Sequence, residues 1–574
     1  MANPFNDLKK KQIWRSLVAY PAAAFVILQA VDFFIVNYDL NPKLLTLTLI
    51  LLIGGFFISF TWNWNHGEKG IQEFSRKELL LYGALIASTL LGGSYYWFKT
   101  PYITENSNSL LSVASNRLAV LPFENKSSDS SLLYLSEGIP ENFINRLSRT
   151  TNFKVLSRNS TFILEEFERT SDWVKVNLNA DLVLTGKIEN SKDGLVISCD
   201  LINTQDHTQI WGDKAIFENG DVNSLEDKMM ASLLNRLPNQ STITEKSETN
   251  DASSIPEAQS HYMKGRVLSY GSTIEKSELA LEHFRKAIEI DPKFAAAYVA
   301  IANEKIIQAI FSTAKRDEIF NEARLAVQTA LAYNPNSAGA YDVDGAIKFY
   351  GNFDWEGAEN SYRKSIELNP YNANAYIRYS ALLAAMKKYD MAIEMADKAI
   401  SLDPISISSL HNLGWVHLIA RNFKKSEEAF NEALTLHPTW AWGYVKRGYA
   451  QLFQNKCDEA QEGATKAKEL VGNWGSELIE SAIIFIHGQC GNETKTNALT
   501  KEFFKHVNDT NYKDPFAVFS VYNTNDEIEK ALDWAELCVK EKAVGSYLFN
   551  IDVFYSKHLL NHPRFIELRK EMNF

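Results

Sequence analysis

Three long apolar runs stand out in the first hundred residues of the chain. Residues 17–36, 44–62 and 79–98 are each about as long as the ~20 residues needed to cross a bilayer. Their polar content is limited to scattered Thr and Ser, and aromatic residues such as Trp14, Trp62 and Trp97 lie near their ends, as at membrane interfaces. The pattern predicts a module of three transmembrane helices over residues 1–99.

Basic residues predict the orientation of this module. Lys9, Lys10 and Arg15 precede the first run, and Lys69 and Arg76 lie between the second and third. By the positive-inside rule, the amino terminus and that loop face the cytoplasm. The prediction is a multi-pass protein of the cell (inner) membrane, with the lipid bilayer as one partner and most of the chain periplasmic or extracytoplasmic. A cleaved signal peptide in place of the first span is the alternative, and it leads to the same location.

Two polar positions, Gln29 and Asp32, lie about one turn apart in the first apolar run. An ionisable group inside a membrane helix is a candidate functional residue. Asp32 lies close to the outer end of the run, where it would reach water or a neighbouring helix. We therefore interpret the two residues as a site of helix packing or assembly.

After a polar linker at residues 100–116, the hydrophobic pattern alternates between strand and helix periods. Helical spacing at residues 136–147 separates the first two strands, and turns rich in Asn, Asp and Gly separate the later ones. A small α+β domain is predicted over residues 117–237. Its strands are expected at residues 118–123, 154–156, 181–189, 194–202 and 209–217.

The loop after the first strand reads "FENKSSDS" from Phe123 to Ser130. A phosphate-binding loop needs glycines for close backbone approach, and this loop has none. It has no His nearby to act with its carboxylates and serines, so it offers no catalytic group either. Asn125 and Ser136 are expected to cap backbone groups instead. No catalytic residue, cofactor or metal site is predicted.

This segment resembles the amino-terminal domain of the TolB-like family. The resemblance rests on "AVLPFEN", "LSEGI", "KVLSRNST" and the run "ADLVLTGKIENSKDGLVISCDLINTQDHTQIW", with Trp211 at the family's Trp position. The turn glycine of the family is replaced by His207 or Thr208. The resemblance covers residues 117–217 and implies a non-enzymatic domain, often found beside helical repeats in membrane or regulatory proteins. Residues 1–99 also resemble the three-span module common in such proteins.

A second linker, residues 238–257, leads to a pattern that recurs about every 34 residues. Small residues recur in the second helix of each unit, and a Pro ends that helix because it lacks a backbone donor. The pattern resembles tetratricopeptide repeats and predicts an all-α solenoid over residues 258–470, with degenerate repeats and a cap over residues 471–574. The aligned positions are Ala280, Phe284, Ala287, Pro292; Ala323, Val327, Ala330, Pro335; Ala358, Tyr362, Ser365, Pro370; Ala392, Ala396, Ala399, Pro404; and Ser426, Phe430, Ala433, Pro438.

The resemblance also implies which residues face the concave groove of such a solenoid. They are mainly apolar and aromatic, and the Lys and Asn of the carboxylate-clamp variety are missing. A protein or peptide ligand is one interpretation of this surface, and packing against the degenerate carboxy-terminal helices is the other. His411 is more consistent with a groove or packing role than with a metal ligand. The predicted groove residues are Tyr350, His411, Trp415, Leu418, Trp442, Val445, Tyr449 and Phe453.

Charge and cysteine content narrow the picture further. The 574 residues carry a net charge of -11, and the excess of acidic groups falls after residue 100, which argues against a nucleic-acid partner. Cys457 and Cys490 lie about one repeat apart, where an intervening helix would hold their Cα atoms beyond the ~7 Å limit for a disulfide. We expect all four cysteines to be free thiols.

Together these features predict a membrane-anchored, non-enzymatic scaffold or adaptor that binds protein partners in envelope organisation or signalling. The alternative is a membrane signalling regulator, related to cyclase-associated or transcription-regulator proteins, that acts through a separate effector. The sequence leaves the oligomeric state open.

Overall fold

The computed structural model describes residues 43–66, 117–237 and 253–574, together with short helical pieces at residues 20–31, 86 and 89. The chain divides into two compact units, Met1–Ser112 and Val113–Phe574. Residues left undescribed inside these ranges are 22, 25–26, 128, 130–131, 152, 165–167, 193, 218–220, 270–273, 312–315, 473–475 and 510–512.

The first unit contains helix α1, Lys43–His66. The Tyr20 hydroxyl donates to the carbonyl of Leu52 at 2.9 Å, and its ring meets the edge of Phe56. Tyr20 therefore joins the described part of the first apolar run to the middle of α1.

The prediction of three transmembrane helices is wrong: among the described residues, no helix combines the length and the apolar character that a membrane crossing requires. A span needs about 20 continuous apolar helical residues. Within α1, the polar residues Thr48, Ser59 and Thr61 lie among the apolar ones. Gln29 is helical and exposed, whereas Asp32 lies outside the described residues.

The second unit begins with a small sheet. Its strand order is β3-β1-β4-β5-β6, with β2 paired to β4. Strand β1 runs parallel to β3 and β4, and the last three strands form an antiparallel meander, as their turn residues indicate. The strands are β1 Arg117–Val120, β2 Glu124–Asn125, β3 Lys154–Val155, β4 Leu182–Ser191, β5 Gly194–Asn203 and β6 Gln209–Phe217.

Helices cover both faces of this sheet because its side chains alternate in direction. Leu118 and Val120 of β1 join one apolar cluster, which includes residues of α2 and α5. Ala119 and Leu121 join another, which includes residues of α4. The helices are α2 Leu133–Thr150, α3 Arg158–Thr161, α4 Ser171–Leu178 and α5 Val222–Leu234.

The loop after β1 is organised by Asn125, as predicted. Its side-chain amide donates to the carbonyl of Asp129 at 2.9 Å, and its oxygen accepts from the Ser127 backbone at 3.0 Å. The predicted cap at Ser136 is wrong, because α2 begins three residues earlier, at Leu133, and leaves Ser136 inside the helix. At the β5–β6 turn, His207 takes the left-handed conformation with φ 57°, in the region of the glycine that the sequence lacks.

In the described part of residues 253–574, sixteen helices pack as eight consecutive pairs. Each pair places a first helix against a second, and in the first six pairs the second helix packs on the first helix of the next pair. The first helix of the seventh pair packs instead on the first helix of the eighth. The helices are α6 Pro256–Ser269, α7 Ile274–Ile290, α8 Ala295–Phe311, α9 Arg316–Tyr333, α10 Ala338–Ala346 (continued by the π-helix Ile347–Asn352), α11 Trp355–Leu368, α12 Ala373–Ala385, α13 Tyr389–Leu402, α14 Ile407–Ile419, α15 Phe423–Leu436, α16 Ala441–Leu452, α17 Cys457–Val471, α18 Glu477–Gln489, α19 Glu493–Asp509, α20 Pro515–Thr524 and α21 Ile528–Lys540.

The repeated small residues lie where the two helices of a pair touch. Ala392, Ala396 and Ala399 of α13 are fully buried, as are their equivalents in the other pairs. The ring of Phe430 packs on the first helix of its own pair, since a Cβ on Gly414 would lie 2.8 Å from it.

The turn inside each of the third to eighth pairs contains a residue with positive φ. These are Phe353, Lys387, Arg421, Asn455, Gly491 and Asp526, at almost regular spacing. The hydrogen-bond pattern also changes at the end of the first helix. In the fifth pair, the Asn422 backbone N–H donates to the carbonyl of His417, five residues earlier, at 2.8 Å. A left-handed residue thus ends the first helix, as in a Schellman motif.

The prediction of four free thiols is wrong. Cys457 and Cys490 form a disulfide with their Cα atoms 5.6 Å apart, whereas Cys199 and Cys538 are free and buried. The two bridged residues are not equivalent in their units. Cys457 begins the second helix of the sixth pair, and Cys490 ends the first helix of the seventh, so no helix separates them.

The sheet region contacts the solenoid in two places. Near the first pair, Arg266 of α6 forms an ion pair with Glu141 of α2. Near the fourth pair, buried Asp403 accepts hydrogen bonds from Ser160 and Asn159 of α3. Burial raises the pKa of Asp403, and these hydrogen bonds oppose the rise. The sheet region therefore reaches from the first to the fourth helix pair.

The carboxy-terminal segment turns back along the repeats. It consists of two 3-10 turns, Val544–Asn550 and Asp552–Phe554, followed by α22 Lys557–Leu560 and α23 Pro563–Glu571. Asn550 donates to the carbonyl of Ala385 at 2.8 Å. The indole of Trp355 donates to the carbonyl of Met572 at 2.7 Å and its ring stacks on Phe574. The segment thus connects the last helix pair with the third and fourth.

Candidate functional site

A cavity of about 190 Å³ lies between the fifth to eighth helix pairs and the turns of the carboxy-terminal segment. Side chains from α14 and α16 form one wall and side chains from α18 and α20 another. Most of this lining is aromatic. The ring-bearing residues around the cavity are Trp415, Trp442, Tyr449, Phe485, Phe516, Phe519, Tyr547, Phe554 and Tyr555.

Lys446 of α16 brings a positive charge to this cavity. Its ammonium nitrogen lies 3.6 Å from the ring centroid of Trp415, 5.1 Å from that of Trp442 and 5.6 Å from that of Tyr449. These distances are those of cation–π contacts. Three ring faces therefore surround one ammonium group.

Helix geometry explains this arrangement. Trp442, Lys446 and Tyr449 occupy positions i, i+4 and i+7 of α16, which share one face of a helix. Trp415 comes from the preceding first helix, α14, and its ring is backed by His411 at a centroid distance of 6.3 Å. The tetratricopeptide-like stacking of first helices thus places the two faces side by side.

Burial controls the charges around the cavity. It lowers the pKa of Lys446 to about 7. It also lowers the pKa of His411 to about 3, with a smaller contribution from Lys446, so His411 is neutral at pH 7. Asp514 accepts from the backbone of Ala517 at 2.9 Å and lies 3.5 Å from the Arg316 guanidinium.

The carboxy-terminal segment inserts an aromatic ring into this site. Phe554 stacks on Trp415 at 5.7 Å and meets Tyr449 edge-on at 5.4 Å. It also meets the edges of Phe453 and Phe485 at 5.9 and 6.0 Å. One side chain of the chain itself therefore contacts four rings of the repeat helices.

The structure brings several predicted groove residues together. Trp415, Trp442 and Tyr449 line the cavity, and Phe453 reaches it through Phe554. His411 lies behind Trp415, and Tyr350 packs against Tyr547, one of the lining rings. Leu418 and Val445 are fully buried in the helix packing. Binding of a partner by these residues stays a prediction, as do the roles of Gln29 and Asp32.

Sequence reasoning missed Lys446 and the rings from the degenerate region. The signal for Lys446 was present, because it lies one turn after Trp442 on the predicted groove face. Phe485, Phe519 and Phe554 gave no such signal, since their contacts with the site depend on how distant helices stack. Within the described residues, no group of three or more His, Cys, Asp or Glu side chains is arranged to hold a metal ion.

Comparison with known proteins identifies the class of the helix pairs. The family model described as Tetratricopeptide repeat matches residues 258–294, 373–406 and 407–439. The prediction of tetratricopeptide repeats is therefore confirmed, and such repeats are units that bind proteins or peptides. The TolB-like resemblance of residues 117–217 stays a prediction.

Two curated relatives share part of the chain. A protein of Rhizobium meliloti named "Putative adenylate cyclase 3" is 27% identical over 194 residues, which cover 33% of this chain and 32% of that protein. The small glutamine-rich tetratricopeptide repeat-containing protein 2 of Saccharomyces cerevisiae is 31% identical over 102 residues, covering 18% and 30%. The chain thus spans about a third of the length of these relatives.

A solved structure of a thermophilic tetratricopeptide repeat protein from Thermus thermophilus is also similar. It is 18% identical and covers 34% of this chain and 99% of its own, with a TM-score of 0.30.

Proposed function

We propose that this chain is a non-enzymatic scaffold that binds partner proteins through the concave face of its tetratricopeptide repeats. The observation that supports the proposal is the position of Phe554. A short segment of the chain itself lies along the repeats and inserts this ring among Trp415, Tyr449 and Phe485. The surface therefore suits a segment with an aromatic anchor, since buried aromatic side chains dominate the energetics of such contacts.

A peptide experiment tests this capacity. Phe554→Ala in the full chain should weaken the hold of its own segment and free the site. A synthetic peptide with the sequence of residues 544–556 should then bind the Phe554→Ala chain more tightly than the natural chain, in which the segment competes. The same peptide carrying Phe554→Ala is the matched control, and it should bind at least about tenfold more weakly, as expected for loss of an aromatic anchor.

A second variant tests whether the peptide binds at the cavity. Adding Trp415→Ala to Phe554→Ala should abolish peptide binding, because Trp415 is the ring on which Phe554 stacks. Far-UV circular dichroism checks that both variants keep their helices. A folded Phe554→Ala chain that fails to bind the peptide would contradict the proposal.

Partner identification is the second step. Cross-linking capture in cells should enrich the same protein with the natural chain and with a Tyr333→Ala control, which changes an exposed ring outside the cavity. Trp442→Ala should lose that protein, because Trp442 lies at the cavity wall and is only half-buried. Equal recovery with Trp442→Ala would place the partner elsewhere on the chain.

A signalling regulator that acts through a separate effector is the second candidate. The relative named as an adenylate cyclase favours it. A captured partner that is itself a cyclase or a transcription regulator would support this candidate. The purified chain should form no cyclic AMP from ATP, and formation of cyclic AMP would overturn the non-enzymatic proposal.

A location outside the cytoplasm also remains a proposal. The disulfide between Cys457 and Cys490 supports it, because disulfides persist mainly in oxidising compartments.

A further inference from the structure

The ammonium group of Lys446 is surrounded by rings and not by acids. Among the described residues, neither a hydrogen bond nor an ion pair is found for it, and its contacts are with three aromatic faces. Such contacts stabilise a cation but leave its charge uncompensated. Asp514, the carboxylate that lines the same cavity, is held by Arg316 and by the backbone of Ala517. The cavity therefore has an open position for one negative charge.

The size of the cavity limits what can fill it. A cavity of about 150 Å³ holds one benzene molecule. The volume of about 190 Å³ found here has room for a ring and one small polar group. The turns Val544–Asn550 and Asp552–Phe554 border it and restrict larger ligands.

We propose that this cavity binds a small aromatic carboxylic acid. Its carboxylate would pair with the Lys446 ammonium, and its ring would pack among Tyr449 and Phe485. Charge and size both lead to this chemical class: one unpaired cation selects a monoanion, and the aromatic walls select a flat apolar body. This ligand is separate from the partner protein proposed above.

The protonation of Lys446 supports the same assignment. Burial lowers its pKa to about 7, so the free protein carries this charge only in part at neutral pH. An entering carboxylate favours the ammonium form, and binding should take up a proton. The other titratable groups around the cavity do not compete: His411 is neutral, and burial raises the pKa values of Tyr449, Tyr547 and Tyr555. Asp514 keeps its Arg316 contact.

Calorimetry on the full chain tests the proposal with two probes of matched shape. Phenylacetate carries the carboxylate, and phenylacetamide replaces it by a neutral amide. At about pH 6.5, phenylacetate should bind at least roughly tenfold more tightly, as expected for one hydrogen-bonded charge pair. Its affinity should fall by a similar factor at about pH 9, where Lys446 is neutral in the free protein, and titrations in buffers of different ionisation enthalpy should reveal proton uptake.

Lys446→Met removes the charge while keeping most of the side-chain volume. It should weaken phenylacetate at least roughly tenfold and leave phenylacetamide unchanged. Lys424→Met, on the exposed face of α15, is the matched control and should change neither probe. The probe series on the natural chain decides the question if Lys446→Met fails to fold. Equal affinity for the two probes, no phenylacetate binding at ~10 mM, or tighter binding of the cation phenethylamine would overturn the proposal.

Discussion

At the scale of single residues, an unfavourable backbone conformation or the burial of an ionisable group lowers the stability of the fold. Arg421 is an exposed example: it ends α14 with φ 62°, a conformation that glycine adopts more easily. Glu226 is a buried example: its carboxyl accepts a hydrogen bond from Asn142 at 2.8 Å but has little contact with water. Both residues carry a local cost that the rest of the fold offsets, and both costs can be measured.

Arg421→Gly should stabilise the protein. Removing the Cβ from a left-handed residue relieves about 1 kcal/mol of strain, and the greater freedom of glycine in the unfolded chain offsets part of that gain. We expect a net gain of about 0.5 kcal/mol, measured by urea unfolding. Arg421→Ala controls for the loss of the side chain and should be nearly neutral. A lower midpoint for Arg421→Gly than for Arg421→Ala would contradict this explanation.

Glu226→Gln should remove a pH dependence of stability. Burial raises the pKa of Glu226 from its ordinary value of 4.5 to about 8, although the Asn142 hydrogen bond opposes the rise. The group is protonated in both states below pH 4.5, and its contribution is then lost as the pH rises from about 4.5 to about 8, because the unfolded chain ionises first.

The test compares thermal unfolding midpoints at pH 5 and pH 8. Glu226→Gln keeps the hydrogen-bond acceptor. At pH 8 its free energy of unfolding, derived from these midpoints, should exceed that of the natural chain by on the order of 2 kcal/mol, and at pH 5 the two should differ little. Glu189→Gln, at an exposed position of β4, should show no such change. Parallel pH profiles for the natural chain and Glu226→Gln would rule out this role of Glu226.

At the scale of the helix pair, one small residue sets how closely two helices approach. Gly414 of α14 lies against the ring of Phe430 of α15, and Gly345 lies against Tyr362 in the third pair. In the fourth pair the same two positions are Ser380 and Ala396, both fully buried. The two helices of a pair therefore have either a large residue facing a glycine or two small residues at these positions.

Gly414→Ala should destabilise the fifth helix pair. The new Cβ would lie 2.8 Å from the Phe430 ring, so one helix must shift. Overpacking of this kind costs about 1–3 kcal/mol, measured by chemical unfolding. Adding Phe430→Leu should recover part of the loss, and Ser408→Ala at an exposed position of α14 should be neutral. Unchanged stability in Gly414→Ala would contradict the close approach.

At the scale of the whole molecule, the second unit contains links between helix pairs that are far apart along the chain. Arg316 of the second pair lies 3.5 Å from Asp514, next to the eighth, and Lys542 pairs with Asp317 at 2.7 Å. The carboxy-terminal residues reach the third pair through Trp355. Repeat arrays normally depend on contacts between neighbours. Here contacts across many repeats add to them.

The covalent link is the most direct of these to test. Mass spectrometry of alkylated protein taken from cells should find Cys457 and Cys490 protected and Cys199 and Cys538 modified only after unfolding. The double variant Cys457→Ser with Cys490→Ser should lose about 3–4 kcal/mol of stability in the chain-entropy model for a sequence separation of 33 residues. Alkylation of Cys457 in the folded protein would contradict the link and the proposed oxidising location.

The sequence predicted what depends on local spacing. The register of Ala392, Ala396 and Ala399 followed from a period that repeats along the chain, and the structure buries all three. The pairing of Cys457 with Cys490 could not be predicted from that period, because it joins opposite ends of successive helices.

The cavity was only partly predictable for a similar reason. Trp415 and Tyr449 occupy repeat positions that can be counted along the sequence. Phe554, by contrast, meets them through a segment that turns back over several helix pairs, and no local pattern encodes such a return. The prediction of three membrane spans rested on counting apolar residues, and no helix in the described part of the chain has the length and apolar character of a span.

The sheet region that joins the first and fourth helix pairs has a mechanical consequence. When the two ends of a row of stacked helix pairs are pulled apart, the row lengthens because each pair separates slightly from its neighbour. The sheet region opposes this lengthening because it is attached to both the first and the fourth pair. Arg266 forms an ion pair with Glu141, and Ser160 donates a hydrogen bond to Asp403. The first four helix pairs can therefore separate from one another only after one of these two contacts breaks.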